Sequence, residues 1–353
     1  MSALAREADI VFGGIGYAAD TSNLRALERR VGRFDVIVGQ TWMFGAPGAG
    51  QYGAFVPRDL RDYPAPKVLN LLQVDPYAIP EYIYESCVRG ADAVVSTVAS
   101  PQYRIPDPCA ATERESWFDP GLYMVRHPEL IDERWLMLPH CAAEAEFVPH
   151  GAVSKRWDAI VPGIGYRFRK EARDHLASRR EFSLASLDSP LQRFLYWATS
   201  DYRVQRHIDL SAWFHSRFRN RIAASRVGIT CDGSVGYAIR KFFEIPAFGT
   251  LLVARFFPDM GALGFKDEEN CFAVDDHSLG RLNEVLGFAK SDSREAVRIL
   301  NAGQEMIRER HSATVRARQF LVLLEALCLG KLSGTRWRDG QQIILASDVT
   351  VAL

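Results

Sequence analysis

The sequence has no net charge, because its 43 lysines and arginines are balanced by 43 aspartates and glutamates. That balance removes the global electrostatic pull on which nucleic-acid binding relies, so no nucleic-acid partner is expected. No apolar run approaches the roughly 18–20 residues that cross a bilayer. The most apolar one, "FLVLLEALCLGKL", is interrupted by Glu325, which limits any membrane contact to a peripheral one. The opening "MSALAREADI" lacks an apolar core and does not read as a secretory signal. The six cysteines (Cys87, Cys109, Cys141, Cys231, Cys271 and Cys328) include no CxxC, and the eight histidines show no HxxxH or Cys/His spacing. Neither a disulfide framework nor a zinc centre follows from such a pattern. Internal repeats of solenoid length and low-complexity tracts are absent too. These absences lead to the expectation of a cytoplasmic protein with reduced thiols and no bound metal or cofactor.

What is present is alternation. A chain of 353 residues exceeds the roughly 250–300 that one core sustains, so two domains are expected. "DIVFGGIG", "FDVIVGQ", "KVLNLLQVD", "ADAVVST" and "RWLMLPH" read as buried strands, with "NLRALERRVG" and "PEYIYESCVRG" as helices between them. The pattern restarts with the strand "WDAIVPGIG", the helices "RFRKEARDHLASRR" and "LSAWFHSRFRNRIAAS", and the strands "RVGITCDG" and "GTLLVAR". Residues 277–328 read as mostly helical, and "QQIILASDVTVAL" as a strand without an assigned role. Strands alternating with helices predict an α/β protein of two Rossmann-like, doubly wound parallel sheets. The expected division is 1–150, 151–310, and a closing segment 311–353.

The stretch "AIRKFFEIPAFGT" (238–250) places three charges in a run that otherwise reads as core. A helix over 235–248 with Ser234 as N-cap puts Ile239, Phe242, Phe243 and Ala247 on one apolar stripe. Arg240, Lys241 and Glu244 then share the other side, while Pro246 and Gly249 supply the stop. One reading is an exposed Arg240–Glu244 pair, contributing about 0.3–0.5 kcal/mol. The other is a site for an anion. Arg preceding Glu is the poorer order for such a pair, and both cations lie toward the positive end of the helix dipole. The glycines of "DGSVG" would let a phosphate approach backbone amides. Spacing alone leaves both readings open.

Other candidates have the same two-sided character. Gly14, Gly16 and Ala19 in "GGIGYAAD" match G-x-G-x-x-A. A nicotinamide site would want an acid ending the next strand, where "DVIVGQT" has Gly39, Gln40 and Thr41. On the residues alone Gly14 and Gly16 are plain turn glycines, and a cleft-loop role for them would have to come from the fold. Arg167, Arg169 and Lys170 after "GIGY" either reach a diphosphate or form a solvated basic face. Asp75 and His140 each follow a strand, a position open to a cleft base, with a hydrogen-bonded structural role the more usual one for such residues.

"RKFFEIPAFGTLLVA" resembles the "KxFExxAxGxxLL" block of group 1 glycosyltransferases, closest to the bacterial spore-maturation-like branch. "LPHCAAEAEFVPH" resembles that branch's domain-linking segment, and "KRWDAIVPGIGYRFRKEARDHL" the opening strand and helix of its second domain. "LGFKDEENCFAVDD" and "RERHSATVRARQFL" resemble two further blocks, in the same order, so that the likeness spans roughly residues 135–322. The first domain agrees in pattern only. The resemblance implies a GT-B fold, with a nucleotide-sugar donor (a UDP-sugar, for instance) held mainly by the second domain across a cleft. It implies a metal-independent, hexosyl-type transfer to a hydroxyl of a glycan, a lipid-linked glycan or a small molecule. By position, Glu244 would bond the donor ribose, and Gly233, Ser234 and Gly236 would cradle the diphosphate, with Gly249 and Arg169 nearby. Arg240 or Lys241 would offset the charge on the leaving group, with His140 or Asp75 as base. His311 would be structural in a helix crossing back to the first domain. Many retaining relatives carry a second Glu where this sequence has Gly236, so the motif implies no stereochemical outcome. It also leaves room for a non-catalytic sugar-nucleotide-binding subunit, or for an epimerase or hydrolase on the same fold.

Overall fold

A computed structural model describes residues 3–12, 22–39, 57–70, 89–97, 134–149, 151–163, 167–186, 211–232, 237–257, 259–275, 279–291, 293–346 and 350–352. The chain divides into two compact units. One comprises Met1–His140, Ser234–Tyr237 and Thr314–Leu353; the other comprises Cys141–Gly233 and Ala238–Ala313.

The first unit begins with helix α1 (Leu24–Val31). Asn23 caps it, accepting from the Ala26 amide at 2.7 Å, and the Asp59 carboxylate accepts from the amides of Leu24 and Arg25. Three of the four amides that a helix start leaves without partners are thereby satisfied. Strands β1 (Ile37–Gly39), β2 (Lys67–Asn70), β3 (Ala93–Ser96) and β4 (Trp135–Met137) form a parallel sheet in that order. The expected strand at "DIVF" is not formed. Residues 9–12 are not in a strand and none of them is buried, with Val11 exposed, so the run does not contribute a strand to the sheet core.

The second unit runs β5 (Trp157–Ile160), α2 (Arg167–Ser178), β6 (Leu184–Ala185), α3 (Ser211–Ala223), β7 (Ser225–Thr230) and α4 (Lys241–Ala247). It continues with β8 (Leu251–Arg255), α5 (Asp259–Ala262), β9 (Phe272–Val274), α6 (Leu279–Lys290) and α7 (Arg294–His311). Its five strands are all parallel, in the order β6-β5-β7-β8-β9. Val227, Ile229 and Val253 pack with Phe168, Leu176 and Leu286 in one core. α4 docks so closely on β7 that a Cβ at Gly228 would lie 2.5 Å from Ile245 Cγ2. α7 holds the far end of α4: the buried Gln304 side chain donates to the carbonyls of Val148 (2.8 Å) and Ala247 (2.9 Å). His311, at the end of α7, is fully buried against Phe243 and Phe265, with its Nε2 2.8 Å from the Leu263 carbonyl.

The first unit is completed by helix α8 (Ala313–Cys328) and strands β10 (Leu332–Arg338), β11 (Gln341–Ala346) and β12 (Thr350–Ala352). The segment expected as one strand is thus two strands of a three-stranded antiparallel sheet. Asp339 and Gly340 both have positive φ and join β10 to β11, the geometry of a two-residue hairpin loop. Trp337 Nε1 donates to the Met137 carbonyl at 3.2 Å, and Thr335 Oγ1 accepts from the Met137 amide. Leu323 and Leu324 of α8 and Ile344 of β11 share a core with Val68, Val95 and Leu136 of the parallel sheet.

Candidate functional site

The chain leaves β5 for β6 on one side and returns through α3 to β7 on the other, so the strand order reverses between β5 and β7. At such a switch point, loops leaving the carboxyl ends of adjacent strands diverge and open a crevice where ligands bind. Two arginines of α2 clothe the loop after β5. Arg169, buried, donates from Nη1 to the Pro162 carbonyl at 3.1 Å, and Arg173 donates to the carbonyls of Val161 (3.0 Å) and Gly163 (2.8 Å). Gly163 has φ +94°, and a Cβ there would lie 2.7 Å from Arg169 Nη1 and 3.9 Å from Lys241 Cε. The absence of a side chain at Gly163 is thus what lets Arg169 of α2 and Lys241 of α4 approach one backbone position. Asp232, buried at the end of β7, pairs with Arg255 of β8 at 3.5 Å.

The helix bearing Glu244 is shorter than its sequence predicts. It starts at Lys241 rather than 235, with Arg240 as an N-cap that makes no side-chain capping bond, and residues 237–239 are not helical. Val235, Gly236 and Tyr237 are weak helix formers, and the helix begins beside the fully buried Phe242 and Phe243. Phe242, Phe243 and Ala247 are fully buried, as the stripe required, whereas Ile239 precedes the helix and is half-buried.

The charged edge is solvated only in part: Arg240 is half-exposed, whereas its carboxylate partner is not. Glu244 is 5% exposed, with Oε1 2.7 Å from Arg240 Nε and Oε2 2.7 Å from Lys241 Nζ. Arg240 also pairs through Nη2 with Glu146, whose other oxygen accepts from the Ala143 amide. Burial works against the Arg240 charge, but Glu244 and Glu146 together outweigh it and its pKa is raised. Lys241 Nζ lies 4.6 Å from the centre of the Phe218 ring on α3. The cluster is a buried carboxylate clamped by two cations, and a value appropriate to an exposed i,i+4 pair does not describe it.

The remaining candidates fall out as follows. Gly249 has φ +67° and closes α4; its amide donates to Pro246 and its carbonyl accepts from Lys155 Nζ at 2.6 Å. Lys170 is on the exposed side of α2, paired with Asp174. His140 lies in the first unit just beyond β4, its carbonyl accepting from Arg316 and its ring 6.4 Å from that of Tyr237. Asp75, Gly14, Gly16, Gly233, Ser234 and Gly236 lie outside the described residues. The sequence reading overlooked Glu146, Gly163, Arg173 and Phe218. Only Arg173 and Gly163 had a signal, the basic helix and the glycine turn before it; Glu146 is linked to Arg240 by the fold alone.

Comparison with known proteins places these features in context. Residues 169–322 match the family described as "Glycosyl transferase-like". No curated protein matches the sequence. Among solved structures, a sucrose-phosphate synthase from Thermosynechococcus elongatus superposes with a TM-score of 0.50 at 14% identity, covering 87% of this chain and 77% of that one. HepE from Anabaena, solved in complex with UDP, gives 0.48 at 11% identity, over 86% and 82% of the two chains. A glycosyltransferase from Rickettsia africae gives 0.49 at 11% identity, over 92% and 87%. The fold is accordingly α/β of GT-B type with two Rossmann-like domains, and residues 169–322 within it are similar to the glycosyl transferase-like family.

Proposed function

We propose that the protein is a glycosyltransferase that takes a nucleoside-diphosphate-sugar on its second unit and transfers a hexosyl-type group to a hydroxyl acceptor. The observation that carries this reading is the buried Glu244, held between Arg240 and Lys241 beside the β5/β7 switch point in the glycosyl transferase-like region. A carboxylate offers about four acceptor positions. The two cations occupy two, and the others suit the two ribose hydroxyls of a nucleotide. Lys241, the cation near Gly163, is the candidate diphosphate partner together with Arg169, while Arg240 braces Glu244 against Glu146. Positive side chains at that spot would stabilise the leaving nucleoside diphosphate as the glycosidic bond breaks. Transfer without a metal belongs to the proposal, as does kinship with the spore-maturation-like branch. The acceptor class is a glycan, a lipid-linked glycan or a small molecule, and His140 or Asp75 is the candidate base.

One observation favours a second reading. Gly236 stands where many retaining relatives of the resembled family have a carboxylate, which fits a sugar-nucleotide-binding subunit without catalysis of its own. Incubation with a panel of UDP-, GDP- and dTDP-sugars, with and without glycan acceptors, separates the two. Acceptor-dependent release of nucleoside diphosphate that persists in EDTA is the expected result. Donor binding with no release under any acceptor condition would select the second reading, and a strict metal requirement would refute the metal-independent mechanism.

A further inference from the structure

Among the described residues β4 is an edge strand of its parallel sheet, and its outer edge is held by side chains instead of another strand. Alternate residues of a strand turn their amide and carbonyl to opposite sides. Leu138 donates to the Ser96 carbonyl of β3, so Met137 faces outward. The hairpin of β10 and β11 meets it there. Thr335 Oγ1 accepts from the Met137 amide at 3.3 Å, and the Met137 carbonyl accepts from Trp337 Nε1 at 3.2 Å and Gln342 Nε2 at 3.4 Å. Thr335 and Trp337 are alternate residues on one face of β10, and Gln342 stands opposite Trp337 on β11.

A second anchor follows at His140. The buried Arg316 of α8 donates from Nη2 to the His140 carbonyl at 3.3 Å and from Nη1 to the Gln319 side chain. Its guanidinium also lies 4.7 Å from the centre of the Trp337 ring, which joins the two anchors into one group. Stability does not call for that group. Leu323, Leu324 and Ile344 already close the core over Val68, Val95 and Leu136. Buried charged and polar side chains add little stability over apolar ones of like volume; what a bonded network supplies is a single geometry.

The geometry specified here is that of the segment from Met137 to His140. Trp135 through Pro139 are all buried, and His140 is the first residue after the strand to reach the surface. It does so at the carboxyl end of a parallel strand, where ligand-contacting residues stand. A side chain that moves a proton has to be held close to its mark, by packing and by bonds to the segment that bears it. We infer that Arg316, Trp337 and Gln342 are positioning residues for the His140 imidazole. The β10–β11 hairpin, which lies beyond the family match ending at residue 322, then has a part in the reaction. The inference rests on the proposed reading of His140 as the base for its catalytic consequence.

The test places carbon-13 at Cε1 of the histidines in the full chain and assigns the His140 signal by its absence from His140→Gln. Trp337→Phe keeps a ring beside Arg316 but loses the bond to Met137, and Arg316→Lys keeps the charge but loses the planar fork. Gln342→Leu is a third variant should either of these fail to fold. Ile344→Val, which thins the same core without touching the group, is the control. Trp337→Phe and Arg316→Lys should each move the His140 signal by more than its linewidth. With the donor that the UDP-, GDP- and dTDP-sugar panel selects, each should lower kcat at least tenfold and leave the donor KM within twofold. Ile344→Val should lower the melting temperature and leave the signal and kcat as they are. An unmoved His140 signal in the folded variants, or one moved as far by Ile344→Val, would overturn the inference. A signal moved as expected while His140→Gln keeps full turnover, or while no donor is turned over, would uphold the positioning and remove His140 as the base.

Discussion

Glu244→Gln tests the proposed donor site with the least disturbance of its surroundings. The substitution keeps the shape of the side chain and one acceptor oxygen but removes the charge and the second oxygen. Hydrogen bonds to a charged group contribute about 1.5–3 kcal/mol each. If each carboxylate oxygen takes one ribose hydroxyl, the variant loses about one such bond, which corresponds to roughly ten- to a hundredfold in Kd. The folded state is affected less. Arg240 keeps Glu146 and is half-exposed, so the loss falls on Lys241, whose carboxylate partner among the described residues is Glu244, at a cost of about 1 kcal/mol after solvent screening. Calorimetry with UDP and with 2′,3′-dideoxy-UDP closes a cycle. The variant should bind UDP ten- to a hundredfold more weakly than the parent, yet bind the dideoxy nucleotide about equally. An equal loss for both nucleotides would show that Glu244 acts through the cluster rather than on the ribose. No loss for either would remove it from the site.

Gly228→Ala should destabilise the second unit by about 1–3 kcal/mol, since its Cβ would meet Ile245; a melting temperature lowered by several degrees checks this, and an unchanged one refutes the close seating of α4. Burial pushes the Cys271 thiol up to about 12, with Asp267 adding to it, and burial raises Cys231 as well. Neither should react with a maleimide at pH 8 in the native protein, whereas the exposed Cys328 should; native labelling of Cys271, read by mass spectrometry, would contradict its burial. Burial also pushes the Asp59 carboxyl up, but the amides of Arg25 and Leu24 and the Arg25 charge outweigh it and the net shift is downward. A depressed folded-state pKa means a stabilising contribution present above the unfolded value near 3.8 and lost as pH falls through the lower folded value. Asp59→Asn should therefore shallow the decline of melting temperature below pH 4, and an identical acid limb in both proteins would refute the assignment.

Several of these features could be read from the residues, and others could not. The strand–helix alternation of the second unit was legible because each strand is a short apolar run and each helix has a single apolar face. Glu244 was legible because a carboxylate and two cations in an apolar stretch need partners. The pairing itself was left open between a solvated edge and a ligand site, since sequence spacing reports that Arg240 and Glu244 are neighbours but not that Lys241 faces Phe218 or that Glu146 joins Arg240. Helix length was overread because periodicity runs through Ile239, although the backbone turns helical only at Lys241. The hairpin of β10 and β11 carried a plain signal, Asp-Gly between two β-prone runs in "TRWRDGQQIIL". It was missed because only the second run was considered.

The make-up of the first unit has a consequence for how the chain is born. Val68, Val95 and Leu136 are sealed by Leu323, Leu324 and Ile344, nearly two hundred positions or more along the chain. During synthesis the early parallel sheet emerges without its cover and must wait until Ile344 has been made before that residue can close it. The second unit draws its described core from residues 159–300 and has all of them in hand earlier. The order of maturation is then the reverse of the order of translation for the first unit, a non-local closure of the kind that slows folding. A nascent chain halted near residue 322, where the family match ends, would have all the described core residues of its second unit made, while the sheet of its first unit stayed open to chaperones and to other chains.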